Sequence, residues 1–170
     1  MIDKMTIDFL NARIEALEKE LDKLKEENAK LKRINYEQIK LTELYKKYKL
    51  EREDFFKHQH YTIITRQGID KIQAIEQMSI QYEVIRCEPN YAVFKALAEK
   101  DGKRIETFGS ALKGEGYKDG NCTSWYVAEM AEKRAMSRAV LKLTGFYELG
   151  VFGEDESESF KKSNTNIKIK

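Results

Sequence analysis

Apolar residues near the start of the chain recur at alternating spacings of four and three: Leu10, Ile14, Leu17, Leu21, Leu24 and, past Asn28, Leu31. With Leu10 at heptad position d, Ile14, Leu21 and Asn28 take a, and Leu17, Leu24 and Leu31 take d, which is the seam of a coiled coil. Residues 1–50 hold no Gly or Pro, so nothing breaks a long helix there. Asn at a lone a position pairs best with its own copy, which fixes register in a parallel dimer. Arg13, Glu20 and Glu27 at g then face Glu18, Lys25 and Lys32 at e of the partner, three attractive pairs. Only about three heptads are clean, so a dimer held by this segment alone is marginal. The competing reading is a lone helix packed back on its own domain.

The period weakens over 36–60, a Tyr- and Lys-rich stretch in which Ile39, Leu41, Leu44, Tyr45 and Leu50 are candidates to cover part of the next domain. A compact part is expected from Phe55 to Phe152. Ile69, Ile72 and Ile75 at three-residue spacing predict a short amphipathic helix over Thr65–Met78, opened by Thr65 or Gln67. Residues 79–88 read as a strand and Pro89-Asn90 as a turn. Residues 90–100 alternate as a second strand, and Asp101-Gly102 marks a hairpin into a third at 104–112. The stretch 113–122 carries three glycines and reads as loop. A long helix then runs from about Ser124, capped by Thr123 or Ser124, to Leu143, ended by Gly145.

Ala128, Ala131, Ala135 and Ala139 share one face of that helix, small enough to lie close on a sheet, with Trp125, Met136 and Leu143 assigned to fill one side. The fold class is therefore α+β: a long N-terminal helix (coiled coil, 1–50), then a helix, a three-stranded antiparallel meander and a packed C-terminal helix, a β-β-β-α core (55–152). The acidic and then basic segment 153–170 shows no core pattern and is expected to be a disordered tail.

Charge alters this picture only locally. The 170 residues carry 31 Lys plus Arg against 29 Asp plus Glu, a net of +2, so any polyanion site must be a patch. No run of eighteen apolar residues occurs, which argues against a membrane-spanning helix. No secretory pattern opens the chain, and Cys87 and Cys122 have no partner motif, so a reducing, cytoplasmic setting is expected. His58 and His60 lack a third ligand at metal-binding spacing. No nucleophile–base pair stands out, and the glycine-rich loop lacks the order of a P-loop, so the chain is expected not to be an enzyme and to need no cofactor.

The remaining candidate chemistry is cationic and aromatic. Lys113, Tyr117 and Lys118 lie on the glycine-rich loop, which ends at Trp125 and Tyr126; Lys133, Arg134, Arg138 and Lys142 come next, on the helix. Guanidinium groups grip phosphates bidentately, and exposed aromatic rings stack bases. The alternatives are cations snorkelling around a packed Ala face, Arg134 paired to Glu129 or Glu132, and Trp125 in the core.

The run Ala131-Glu132-x-Arg134-Ala135-x-x-Arg138-Ala139, after a helix, a meander and a Gly-rich loop, resembles the single-strand annealing proteins of phage recombination. These are the Erf, Sak and DdrA-like types and the eukaryotic Rad annealing protein that shares their fold. The resemblance spans about Tyr61 to Glu156. Ser137 departs from the Gly many relatives carry, and the coiled coil is not part of their usual core. The resemblance implies ATP-independent binding of single-stranded DNA and pairing of complementary strands by a homo-oligomeric ring or filament, with a single-strand-binding protein as a possible partner, in the cytoplasm of the host if the chain is phage-encoded. Arg134 and Arg138 match its motif arginines, and the groove it implies adds Lys133, Lys142, Arg66, Arg86 and Lys95. On that basis, removing Arg134 and Arg138 should weaken binding and leave the fold intact. A non-enzymatic coiled-coil adaptor for a protein partner is the second reading, and a duplex-DNA accessory factor the third.

Overall fold

A computed structural model describes residues 4–58, 61–115 and 119–156. It divides the chain into two units, Met1–Thr42 and Glu43–Lys170. Helix α1 (Lys4–Lys47) is 44 residues long with no buried residue. The expected heptads thus lie on a single unbroken helix, as the lack of Gly and Pro requires. Among the described residues no helix is long and apolar enough to cross a membrane.

In the second unit, α2 (Arg66–Glu76) is capped as expected, with the Thr65 hydroxyl accepting the Gly68 N–H at 3.3 Å. Ile69 and Ile72 are buried, but Ile75, the third member of the stripe, is exposed. The meander is β3 (Ser79–Glu88), β4 (Tyr91–Lys100) and β5 (Lys103–Leu112), antiparallel throughout, with a register break in β3 between Val84 and Arg86. The hairpin between β4 and β5 turns on Asp101 (φ 50°) and Gly102 (φ 74°), both left-handed as a tight two-residue connection demands.

Helix α3 (Val127–Leu143) lies across β4 and β5. Its Ala131, Ala135 and Ala139 meet Ala92, Ala96, Ala98 and Ala111 of the strands, all fully buried. Small residues on both surfaces bring the two backbones close. The Thr107 hydroxyl donates to the Ala135 carbonyl at 2.6 Å, a strand side chain bonded straight to the helix backbone. β3 lies beyond this cover and is almost wholly exposed.

Two features depart from the sequence reading. A second sheet exists: β1 (Phe55–His58) pairs antiparallel with β2 (Tyr61–Ile64), and β2 pairs parallel with β6 (Val151–Gly153). Gly153–Glu156, assigned to a disordered tail, instead closes β6 and continues as a 3₁₀ turn, Glu154–Glu156. Strands of three or four residues carry too little alternation to be seen in a sequence, and an acidic run reads as solvated unless its cationic partners are known. Residues 157–170 lie outside the described residues.

The last residues of α1, which belong to this unit, are held in it by aromatic packing and one half-buried carboxylate. Tyr45 stacks on Phe55 (4.7 Å between centroids), and Tyr48, fully buried, packs on Phe146. Glu76, the last residue of α2, accepts hydrogen bonds from Lys47 (2.6 Å) and the Tyr48 hydroxyl (2.5 Å), and pairs with Lys100 (3.0 Å) at the end of β4. Burial pushes the Glu76 carboxyl up, but these three donors outweigh it and hold the group at about 2, against an ordinary 4.5. A carboxylate with a depressed pKa contributes its stability above the unfolded value and loses it as pH falls towards the folded one. Thermal stability should therefore decline from about pH 4.5 towards pH 2. Glu76→Gln should flatten that part of the melting profile and cost on the order of 3 kcal/mol at neutral pH. An unchanged profile in the variant would remove Glu76 from this role.

Candidate nucleic-acid interface

The cationic edge expected along α3 is not formed as a continuous track. Arg134 turns inward and is 4% exposed. Its Nε donates to the Asp155 carbonyl (2.9 Å), and its two terminal nitrogens donate to the carbonyls of Ser110 (2.8 Å) and Asn121 (2.6 Å). One guanidinium thereby joins β5, the loop before α3 and the turn after β6. Arg138 is half-buried, with Nε donating to Glu156 Oε1 at 2.5 Å and a terminal nitrogen to the Phe108 carbonyl at 2.6 Å. Ser137, the departure from the resembling motif, is fully buried and donates to Asp155 Oδ2 at 2.9 Å. The segment read as a free tail thus covers the face offered to DNA. Helical spacing shows which residues share a face, but not what packs on it, so both motif arginines are reassigned to holding the fold together.

Other candidates are also engaged. Arg66 pairs with Asp70 (3.1 Å) and donates to Met136 Sδ (3.0 Å). Lys95 is bound to Glu83, and Arg86 to Glu88 at 2.6 Å while lying 5.3 Å over the Tyr91 ring. Lys142 is exposed and sits 5.2 Å over Tyr147. Lys133 and Lys113 are exposed as expected. Tyr117 and Lys118 lie outside the described residues, as does His60. Among the described residues no group of three or more His, Cys, Asp or Glu is placed to hold a metal.

The largest difference from expectation is at the start of α3. Ser124 does not cap the helix: its Oγ accepts the Tyr126 N–H at 3.2 Å, and the helix begins three residues later, at Val127. Trp125, assigned to the core, is 76% exposed, and Tyr126 beside it is 62% exposed. The sequence held a signal for this. A helix face made of alanines packed on alanines leaves no pocket for an indole.

The chain around these rings is tightly tied. Lys113 bridges Cys122, the Lys113 N–H bonds the Asn90 carbonyl (2.8 Å), and the N–H groups of Asn121 and Cys122 both reach the Leu112 carbonyl. Gly114 and Gly120 touch backbone to backbone, and a Cβ on Gly114 would come within 2.5 Å of the Gly120 nitrogen. Cys122 and Val127 are buried on either side of the aromatic pair. The two exposed rings follow directly on this tied loop, and the Tyr126 N–H is held by Ser124 Oγ. Tyr126 is the residue before α3, and Lys133 lies exposed within the helix. This arrangement can stack planar groups and attract anions. Elsewhere on the meander, Tyr82 of β3 lies near Glu132, Arg66 and Asp70, and partial burial and the Glu132 carboxylate push its phenol up.

Comparison with models of known protein families, with curated proteins and with solved structures finds no match.

Proposed function

We propose that this protein binds single-stranded nucleic acid on the Trp125–Tyr126 platform and, as a homo-oligomer, anneals complementary DNA strands without an enzymatic step. The observation that carries the reading is the pair of exposed rings, Trp125 and Tyr126, that follows the hydrogen-bonded loop ending at Cys122, with Lys113 paired to that loop end and Lys133 exposed on α3. An exposed Trp beside an exposed Tyr costs solubility unless a ligand covers it, and single-stranded bases offer π-faces that duplex DNA hides. The order of elements, a helix, a three-stranded meander and a long helix, is the one the resemblance implies, which supports the reading. Annealing needs only a surface that holds phosphates and leaves base edges open to pair.

Trp125 is the only tryptophan, so its fluorescence reports on the platform directly. Single-stranded oligonucleotides should quench it saturably, more strongly than duplex of the same length and less strongly as salt rises. Trp125→Ala or Tyr126→Ala should weaken binding by about 1–3 kcal/mol each, roughly 5- to 150-fold, with the fold unchanged. Lys133→Ala should reduce the salt slope by about one. Dye-labelled complementary strands should pair faster with the wild type than with either aromatic variant. No quenching and no single-strand preference would leave the adaptor as the better account.

A further inference from the structure

The apolar stripe of α1 is complete and uncovered. Its residues from Ile7 to Leu31 are 47–67% exposed, and no residue of the helix is buried. We infer that residues 7–31 pair in parallel and in register with the same residues of a second copy of this chain. The dimer then carries two Trp125–Tyr126 platforms from one end of a coil. The pairing is argued from α1 alone, whereas the bivalence rests on the proposed DNA reading.

Charge and polarity select both the occupant and its direction. In parallel alignment Asn28 meets its own copy, and the Arg13–Glu18, Glu20–Lys25 and Glu27–Lys32 pairs form on both sides of the seam. In an antiparallel alignment centred on the stripe, Leu21 packs on Leu17, so Asn28 is left against Leu10. Glu18 and Glu20 then each face their own copies, and only two attractive Arg13–Glu27 pairs remain against six attractive pairs in the parallel alignment, with an unpaired buried amide besides. Ile14 at a with leucines at d favours two strands over three. After Leu31 the same positions pass to Asn35, Gln38 and Thr42, which ends the seam. Lys25 now sits on Asp22 of its own helix at 3.0 Å; both groups are exposed, so exchanging that pair for one across the dimer costs little. Two copies joined at the coil bind a long strand at two points, and the second contact forms at high effective concentration.

The test uses the full chain. Leu31→Cys in a Cys87→Ala background should cross-link nearly completely on mild oxidation. In an antiparallel pair the two sulfurs would be about 36 Å apart and no cross-link would form. Leu17→Asp with Leu24→Asp should lower the sedimentation mass at least twofold. It should leave the affinity for a short oligonucleotide within twofold of wild type, and abolish a gain of tenfold or more seen on lengthening the strand. A monomeric wild type, an unchanged mass in the double variant or no cross-link would overturn the pairing. A dimer without the length-dependent gain would overturn the bivalence. A dimer whose wild type binds no short oligonucleotide would defeat the DNA reading and leave the coil standing.

Discussion

Arg134→Ala should lower the unfolding free energy by about 3–5 kcal/mol, since it removes three charge-assisted hydrogen bonds of about 1.5–3 kcal/mol each that do not add fully. The side chain is 4% exposed, and the carbonyls of Ser110, Asn121 and Asp155 converge on it. Alanine leaves all three short of a donor in a place where water is largely excluded. Arg134→Lys should recover little, because one ammonium cannot present the planar fork that spans three separate carbonyls. Urea denaturation followed by circular dichroism would measure both. An Arg134→Ala protein that melts like wild type but no longer binds oligonucleotide would return this residue to a groove. Loss of binding in step with loss of fold is the expected result.

The assignment of Arg134 shows where the sequence is informative and where it stops. Periodicity places α2, the three strands of the meander, the tight hairpin at Asp101-Gly102 and α3 within a few residues, because each carries its own local signal. The long helix α1 is legible for the same reason. What lies against what is not. The motif arginines occupy one face of α3, and an acidic segment far along the chain folds over that face through Asp155 and Glu156. Neither partner announces the other without the intervening β6, whose three residues are too few to carry a pattern. Trp125 was misplaced for a related reason: hydrophobicity suggests burial, but only the volume available beneath the helix decides it.

This exchange of roles alters the account of the candidate site without dissolving it. With Arg134 and Arg138 used inside the unit, the exposed cations left among the described candidates are Lys113, Lys133 and Lys142, a sparse set for the proposed polyanion site. Stacking must then carry a larger share than ion pairing, and the salt dependence should be shallower than for a groove lined by arginines. On the proposed reading, a sparse site also gains more from being doubled, as the proposed pairing of α1 would do.

Gly109→Ala should be as damaging as losing Arg134, although it adds only one methyl group. Gly109 lies in β5 where α3 crosses it, and a Cβ there would overlap the Ala131 carbonyl oxygen and the Ala135 amide nitrogen, with the Arg134 Cβ at 3.0 Å. Two of the three obstacles are helix backbone, which cannot rotate away as a side chain does. The helix would have to lift, opening the contacts of Ala131, Ala135 and Ala139 together and pulling Arg134 off the Ser110 carbonyl. Overpacking of a core costs about 1–3 kcal/mol where side chains can yield, and more is expected where backbone must move. By contrast Gly102→Ala, in a hairpin with nothing within 4 Å, carries only the strain of its positive φ and should cost about 1 kcal/mol. Comparing the two by urea midpoint separates close approach from turn geometry. If Gly109→Ala proved the milder, α3 would not rest on β5 as tightly as the alanine faces require, and the anchoring of the Trp125–Tyr126 platform would go with it.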